Sequence, residues 1–97
     1  MNPSYKKGVR NEYRSMRLLE SVGYFCIRSA GSHSPFDIVG ISRGGIALVQ
    51  CKSGAWPTPA ELETIRAIPV PDHTTKFIHR WDHRATLPVV KEIGSET

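Results

Sequence analysis

The sequence predicts an α/β fold, a central mixed sheet flanked by helices, in the order helix, three strands, short helix and closing strands. Three observations lead there. Apolar residues recur at helical spacing from Tyr5 to Val22 and stop at Gly23. Aliphatic runs such as Ile38-Val39 and Ile46-Ala47-Leu48-Val49 read as buried strands around a glycine-containing turn. A proline-led segment from Pro59 then separates them from two more β-rich runs.

Taken in order, Asn2-Pro3-Ser4 has the composition of a helix start, with Ser4 as N-cap. Val9, Tyr13, Met16, Leu18, Leu19 and Val22 supply the helical periodicity, and Gly23 the C-cap. Lys6, Lys7, Arg10, Arg14 and Arg17 lie on the same helix at i, i+3, i+4 and i+7 spacings and form one basic stripe. From Tyr24 to Ser29, Tyr24, Cys26 and Arg28 alternate with Phe25, Ile27 and Ser29 as in a strand. AGSHSP, Ala30 to Pro35, is a loop of small and polar residues. Phe36 to Ser42 and Gly45 to Ser53 are strands joined at Arg43-Gly44. GAWPTP is a proline-interrupted connection, and Pro59 opens a short helix that runs to about Ile68. PVPDH ends it, and Thr75 to Trp81 and Leu87 to Ile93 close the sheet.

The 97 residues make one domain, 1–97, whose ends at 1–3 and 94–97 are expected to lie loose. With 39% hydrophobic and 23% charged residues, the composition is that of an ordinary globular chain. A core this small gives modest stability, which burial in a dimer would increase. A net charge of +4 and a pI near 9.4 favour a polyanionic partner. Cys26 and Cys51 both sit in apolar runs, so buried thiols are expected, and a cytoplasmic location with them. No Cys/His spacing points to zinc. The N-terminal MNPSYKKGVRNEYR has no apolar signal core, and the apolar runs are too short to span a bilayer, so no membrane partner is expected.

Buried strands seldom carry a charge unless it is paired or has work to do. Yet Asp37 opens one strand of the hairpin, and Gln50-Cys51-Lys52 ends the other. With Arg43-Gly44 as the turn, Ser42 faces Gly45, and stepping back along the strands puts Asp37 opposite Gln50. Opposed side chains share a face with Cβ atoms roughly 5 Å apart, and Lys52 returns to that face. Moving the turn to Gly44-Gly45 pairs Asp37 with Lys52 instead, and the three groups converge either way. A half-step slip would scatter them and turn the apolar set outward. Asp37 and the Gln50 carbonyl are hard oxygen donors of the kind Mg²⁺ takes. Such an ion neutralises a phosphodiester and lowers the pKa of a bound water, while the Lys52 ammonium can orient that water or stabilise developing charge. The plainer alternative is a buried Asp–Lys pair with Gln50 as bystander.

RSAGS followed by an acid, a glycine turn and a strand ending in acid/amide-x-Lys resembles the archaeal-type Holliday junction resolvases. These have a restriction-endonuclease-like core and belong to the PD-(D/E)xK nuclease superfamily. KGVRNEYRSMRLLESVGYFCIRSAGS looks like their first helix and strand, with the helix glutamate at Glu12; the likeness covers about Lys7 to Ser53. The resemblance implies metal-ligand roles for Glu12, Asp37 and the Cys51 backbone carbonyl. Gln50 falls where the family usually has a second glutamate; it can still ligate through its side-chain oxygen but removes a negative charge. Lys52 matches the motif lysine, Arg28 a DNA- and site-contacting arginine, and Ser32 a loop serine tied to activity. With the basic stripe, Lys6, Lys7, Arg10, Arg14 and Arg28 are the expected DNA contacts. The implied protein is a homodimeric endodeoxyribonuclease of DNA recombination and repair. Using Mg²⁺, or Mn²⁺ in its place, it would resolve four-way junctions in branched double-stranded DNA by symmetric paired nicks.

Two rival functions remain: a related nuclease acting on flaps, nicks or foreign DNA, and a non-catalytic branched-DNA binder, which Gln50 makes plausible. His33, in the serine-rich loop, either touches a phosphate or is an exposed loop histidine. His79 and His83 are four apart in a strand-and-turn segment, which does not bring them together. Trp56 and Trp81 read first as packing residues, with DNA or dimer contact open to Trp56. Ser32 and Ser34 have no Asp/His partners for hydrolase chemistry.

Overall fold

Proline is well placed at the start of a helix, where its missing N–H would have had no partner anyway. In the computed structural model, which describes residues 3–30 and 34–94, α1 accordingly spans Pro3–Ser21. Ser4 therefore lies inside the first turn instead of capping it, and of the ends expected to be loose Pro3 is helical. Residues 1–2 and 95–97 lie outside the described residues. The helix closes as Gly23 predicts. Gly23 has a φ of +101°, its N–H donates to the Glu20 carbonyl, and the Tyr24 N–H reaches the Leu19 carbonyl, each at 3.1 Å.

The buried face of α1 differs from the expected apolar stripe. Tyr13 is 45% and Val22 71% exposed, while Asn11 and Ser15 are buried with Leu19. Two polar residues can face the core because the sheet supplies each with partners.

β1 (Phe25–Arg28), β2 (Ile38–Ser42), β3 (Gly45–Ser53), β4 (Thr74–Trp81) and β5 (Val89–Ile93) form one sheet in that spatial order. Neighbours are antiparallel except β3 and β4, whose parallel pairing needs the crossover that α2 (Pro59–Ala67) supplies. The expected α/β order on a mixed sheet is thus present. The hairpin has the first of the two turns considered, with Ser42 facing Gly45 and Ile38 facing Val49. β5 starts later than Leu87, after Pro88, which has no N–H for a ladder. Gly45 is required on steric grounds: its φ is +146°, and a Cβ there would lie 1.9 Å from the His73 carbonyl oxygen.

The sheet carries two cores. Leu19, Ile38, Ala47 and Val49 pack on the α1 side with Met16, Tyr24 and Phe77. Phe36, Ile65, Ile78 and Ile93 pack on the α2 side with Leu48, Leu62 and Ile68. Thr58 caps α2 in a capping box with Glu61. At the other end, the Lys76 ammonium, 1% exposed, donates to the carbonyls of Ile65 and Ile68 at 2.7 Å and of Arg66 at 3.2 Å. A buried cation is tolerable only with such partners, and here it also meets the negative end of the helix dipole. No helix among the described residues is long and apolar enough to cross a membrane.

α1 is joined to the sheet through one hydroxyl. Ser15 Oγ, with no exposure, accepts from Trp81 Nε1 at 2.8 Å and from the Cys51 thiol at 3.4 Å, and lies 2.9 Å from His79 Nδ1. Both thiols are free and half-buried, and burial pushes Cys51 up to about 12, which keeps its S–H a donor. Two incoming donors fill the hydroxyl's lone pairs, so its own proton goes to His79 Nδ1 and the imidazole is neutral. Burial agrees, lowering His79 from 6.5 to about 4. The unfolded chain therefore binds a proton between pH 6.5 and 4 that the folded chain refuses, so stability falls as pH drops through that window. Urea unfolding at pH 7, 5.5 and 4.5 is expected to show a loss approaching about 3 kcal/mol. His79→Asn, which keeps an acceptor near Ser15, should flatten that limb; equal acid sensitivity in the variant would show that His79 does not cause it.

Candidate functional site

β2 stops one residue short of Asp37 for a local reason. The Asp37 N–H donates to the Val49 carbonyl at 2.8 Å, although Val49 already faces Ile38. Two residues of one strand thus oppose one of the other, a β-bulge. The bulge replaces the expected Asp37–Gln50 opposition: the Asp37 side chain turns back into the ladder, where Oδ2 accepts the Cys51 N–H at 2.8 Å.

The charged groups still gather around that carboxylate. Burial holds the Asp37 carboxyl above its ordinary range; the Cys51 N–H opposes this, Glu12 adds to it, and Lys52 and Arg28 oppose it. Glu12 reaches the site from α1, paired with Arg28 Nη1 at 2.9 Å, and the Arg28 guanidinium lies over the Tyr13 ring. Lys52 leaves the end of β3 to meet Glu61 Oε2 of α2 at 3.3 Å. The sequence alone does not assign Glu61 to the site: Thr58-x-x-Glu61 is legible as a capping box, but the contact with Lys52 depends on where α2 packs.

Gln50 behaves differently from its neighbours. Its Oε1 is buried and accepts no hydrogen bond among the described residues, and the side chain lines a small cavity with Pro35, Glu61 and Thr64. A buried carbonyl oxygen without a donor is costly unless something electropositive meets it. Gln50 Oε1, Asp37 and Glu12 are all hard oxygen donors, so the residues present fit a divalent cation of the Mg²⁺ type. Among the described residues no three His, Cys, Asp or Glu side chains form a cluster; the set is two carboxylates and a neutral amide.

The basic stripe is divided. Lys7, Arg10 and Arg14 line an open concavity of about 440 Å³ together with His83, Arg84, Asp82, Asn11 and Ala85, whereas Lys6 and Arg17 are exposed outside it. His83 and Arg84 were not anticipated there, because the β4–β5 loop meets α1 only in the folded chain. Arg14 is partly committed to the protein, stacked over Trp81 at 4.0 Å and bonded to Asn11 and the Ala85 carbonyl. Asn11 Nδ2 donates to Ser53 Oγ at 3.1 Å, next to Lys52, and so joins the concavity to the site-bearing strand. Trp56 carries Arg80 over its ring at 4.5 Å. His79 is buried against Ser15 and His83 exposed, so the two stand apart. Ser32 and His33 lie outside the described residues.

Compared with known proteins, the chain matches no family model, no curated protein and no solved structure.

A carboxyl held above its ordinary range is charged at neutral pH at the expense of stability. Because the penalty is fully present above the folded-state pKa and absent below the ordinary value of 3.8, Asp37→Asn is expected to raise the thermal midpoint at pH 7. The gain, on the order of a few degrees, should shrink as pH falls toward 3.8. A variant less stable than the wild type at pH 7 would mean that the carboxylate's bond to Cys51 outweighs its burial.

Proposed function

We propose that the protein is a divalent-metal-dependent nuclease with a restriction-endonuclease-like PD-(D/E)xK core. Within that class, the reading is a structure-selective DNA endonuclease that resolves four-way (Holliday) junctions. The observation that carries it is the buried Gln50 Oε1, without a hydrogen-bond partner among the described residues, next to the Asp37 bulge, with Lys52 next but one along the strand. The element order on a mixed sheet with one parallel crossover supports the core.

Glu12, Asp37, Gln50 and the Cys51 carbonyl would hold a Mg²⁺ ion, or Mn²⁺ in its place. When bound, such an ion neutralises the scissile phosphate and lowers the pKa of a water. The remaining work falls to the chain. Lys52 carries an ammonium able to orient the attacking water or to stabilise the oxygen on which charge develops. Arg28, braced by Glu12 and Tyr13, presents a fixed guanidinium to a phosphate. Lys7, Arg10, His83 and Arg84 offer a basic concavity to a duplex arm, and Lys6 is exposed on the same helix. These groups suit phosphates more than base edges, so sequence preference should be weak and salt dependence steep. A junction with two-fold symmetry needs two symmetric nicks, which a C2 homodimer supplies. Phe25, Ile27 and Ile41, exposed on β1 and β2, are apolar surface that association would bury.

Incubating an end-labelled four-way junction, a flap and a linear duplex with the protein and Mg²⁺ or Mn²⁺ tests the reading. Paired symmetric nicks confined to the junction are expected. Equal cutting of all three substrates would point to a broader nuclease, and salt-sensitive binding with every strand intact in both metals would leave a non-catalytic binder.

A further inference from the structure

The weakness of the site, as a cation site, is its charge. Glu12 is paired with Arg28, and Asp37 shares its field with Lys52 and Arg28. Two carboxylates thus face two cations, and with glutamine at position 50 the set is neutral. Affinity for a divalent cation rises with the negative charge of its site, so a further carboxylate is needed nearby. α2 brings one. Glu61 Oε2 lies 3.3 Å from Lys52 Nζ, and Glu61 lines the same cavity as Gln50. Its backbone and its other oxygen are held by the capping box: Thr58 Oγ1 accepts the Glu61 N–H at 3.2 Å, and Glu61 Oε1 accepts from the Thr58 N–H at 3.4 Å and hydroxyl at 3.2 Å. One carboxylate oxygen therefore fixes the helix start and the other faces the ammonium.

We infer that Glu61 is the positioning residue of this site, holding the Lys52 ammonium beside Gln50 and supplying the negative charge that glutamine at position 50 leaves out. The inference rests on the nuclease reading and assigns to α2 a role that the sequence pattern of the strands does not contain. Fixing Lys52 also limits the number of orientations its flexible stem can sample.

Mn²⁺ titration of the full chain, followed by electron paramagnetic resonance, tests it without relying on cleavage. Glu61→Gln removes the charge but keeps the cap, since glutamine serves at that position of a capping box, so the thermal midpoint should stay near that of the wild type. Mn²⁺ affinity is expected to fall about tenfold and to return in the double variant Gln50→Glu/Glu61→Gln, where the charge sits on the strand. Wild-type affinity in Glu61→Gln overturns the inference, as does a double variant no tighter than Glu61→Gln. A folded wild type that binds no Mn²⁺ at millimolar concentration and leaves junctions whole overturns the nuclease reading as well. Unchanged affinity in Glu61→Gln, with Mn²⁺ bound and junctions cut by the wild type, removes the role of Glu61 alone.

Discussion

The Ser15 hydroxyl, enclosed between α1 and the parallel pair β3–β4, is bonded to Trp81 and Cys51 and lies 2.9 Å from His79. Its position sets the register of α1 on the sheet. Asn11 and Glu12 lie one turn earlier on the same buried side, so the hydroxyl also fixes where they arrive. Asn11 meets Ser53, and Glu12 meets Arg28 at the mouth of the hairpin. An apolar residue at position 15 could pack but could not specify this register, because dispersion is indifferent to a slide along the strands, whereas three polar partners are not. The neutral imidazole and the protonated thiol follow from the same enclosure.

From that fixed register the site acquires opposed demands. The bulge at Asp37 ends the ladder and carries a carboxylate into half-buried ground, where its charge is disfavoured by burial and by Glu12. Gln50 Oε1 lacks a donor among the described residues close by. Burial of the Asp37 charge costs stability, a cost that the cation of the proposed function would offset if it bound there. Sites built for function commonly hold strain or unmet polarity that the rest of the fold supports. Here the support comes from the two cores, from the Ser15 contacts and from the buried Lys76 cap on α2.

Local chemistry was legible in the sequence. Gly23 ends α1, Arg43-Gly44 turns the hairpin, and Pro59 opens α2, because each residue acts on its immediate neighbours. Long-range polar contacts were not. Asn11 and Ser15 look like surface residues in a helical pattern, and their burial depends on partners on strands 36 to 66 positions away. The bulge was missed because alternation predicts faces and says nothing of where a ladder breaks, so Asp37 meets the Cys51 N–H instead of standing opposite Gln50. Lys76, in a strand, reads as solvent-facing until the end of α2 is set above it. The candidate site divides the same way: Asp37, Gln50 and Lys52 follow from the hairpin, but the approach of Glu61 requires the packed helix.

The proposed function requires a divalent cation at the Asp37 bulge, between Glu12 on one side and Gln50 on the other. Paramagnetic broadening of backbone amide signals by substoichiometric Mn²⁺ locates such an ion directly. The amides of Asp37, Gln50, Cys51 and Lys52 should broaden first and that of Glu12 with them, while those of β5 and of the Arg43-Gly44 turn stay sharp. Broadening centred on the exposed His83 loop, or spread evenly over the chain, would place no specific cation at Asp37.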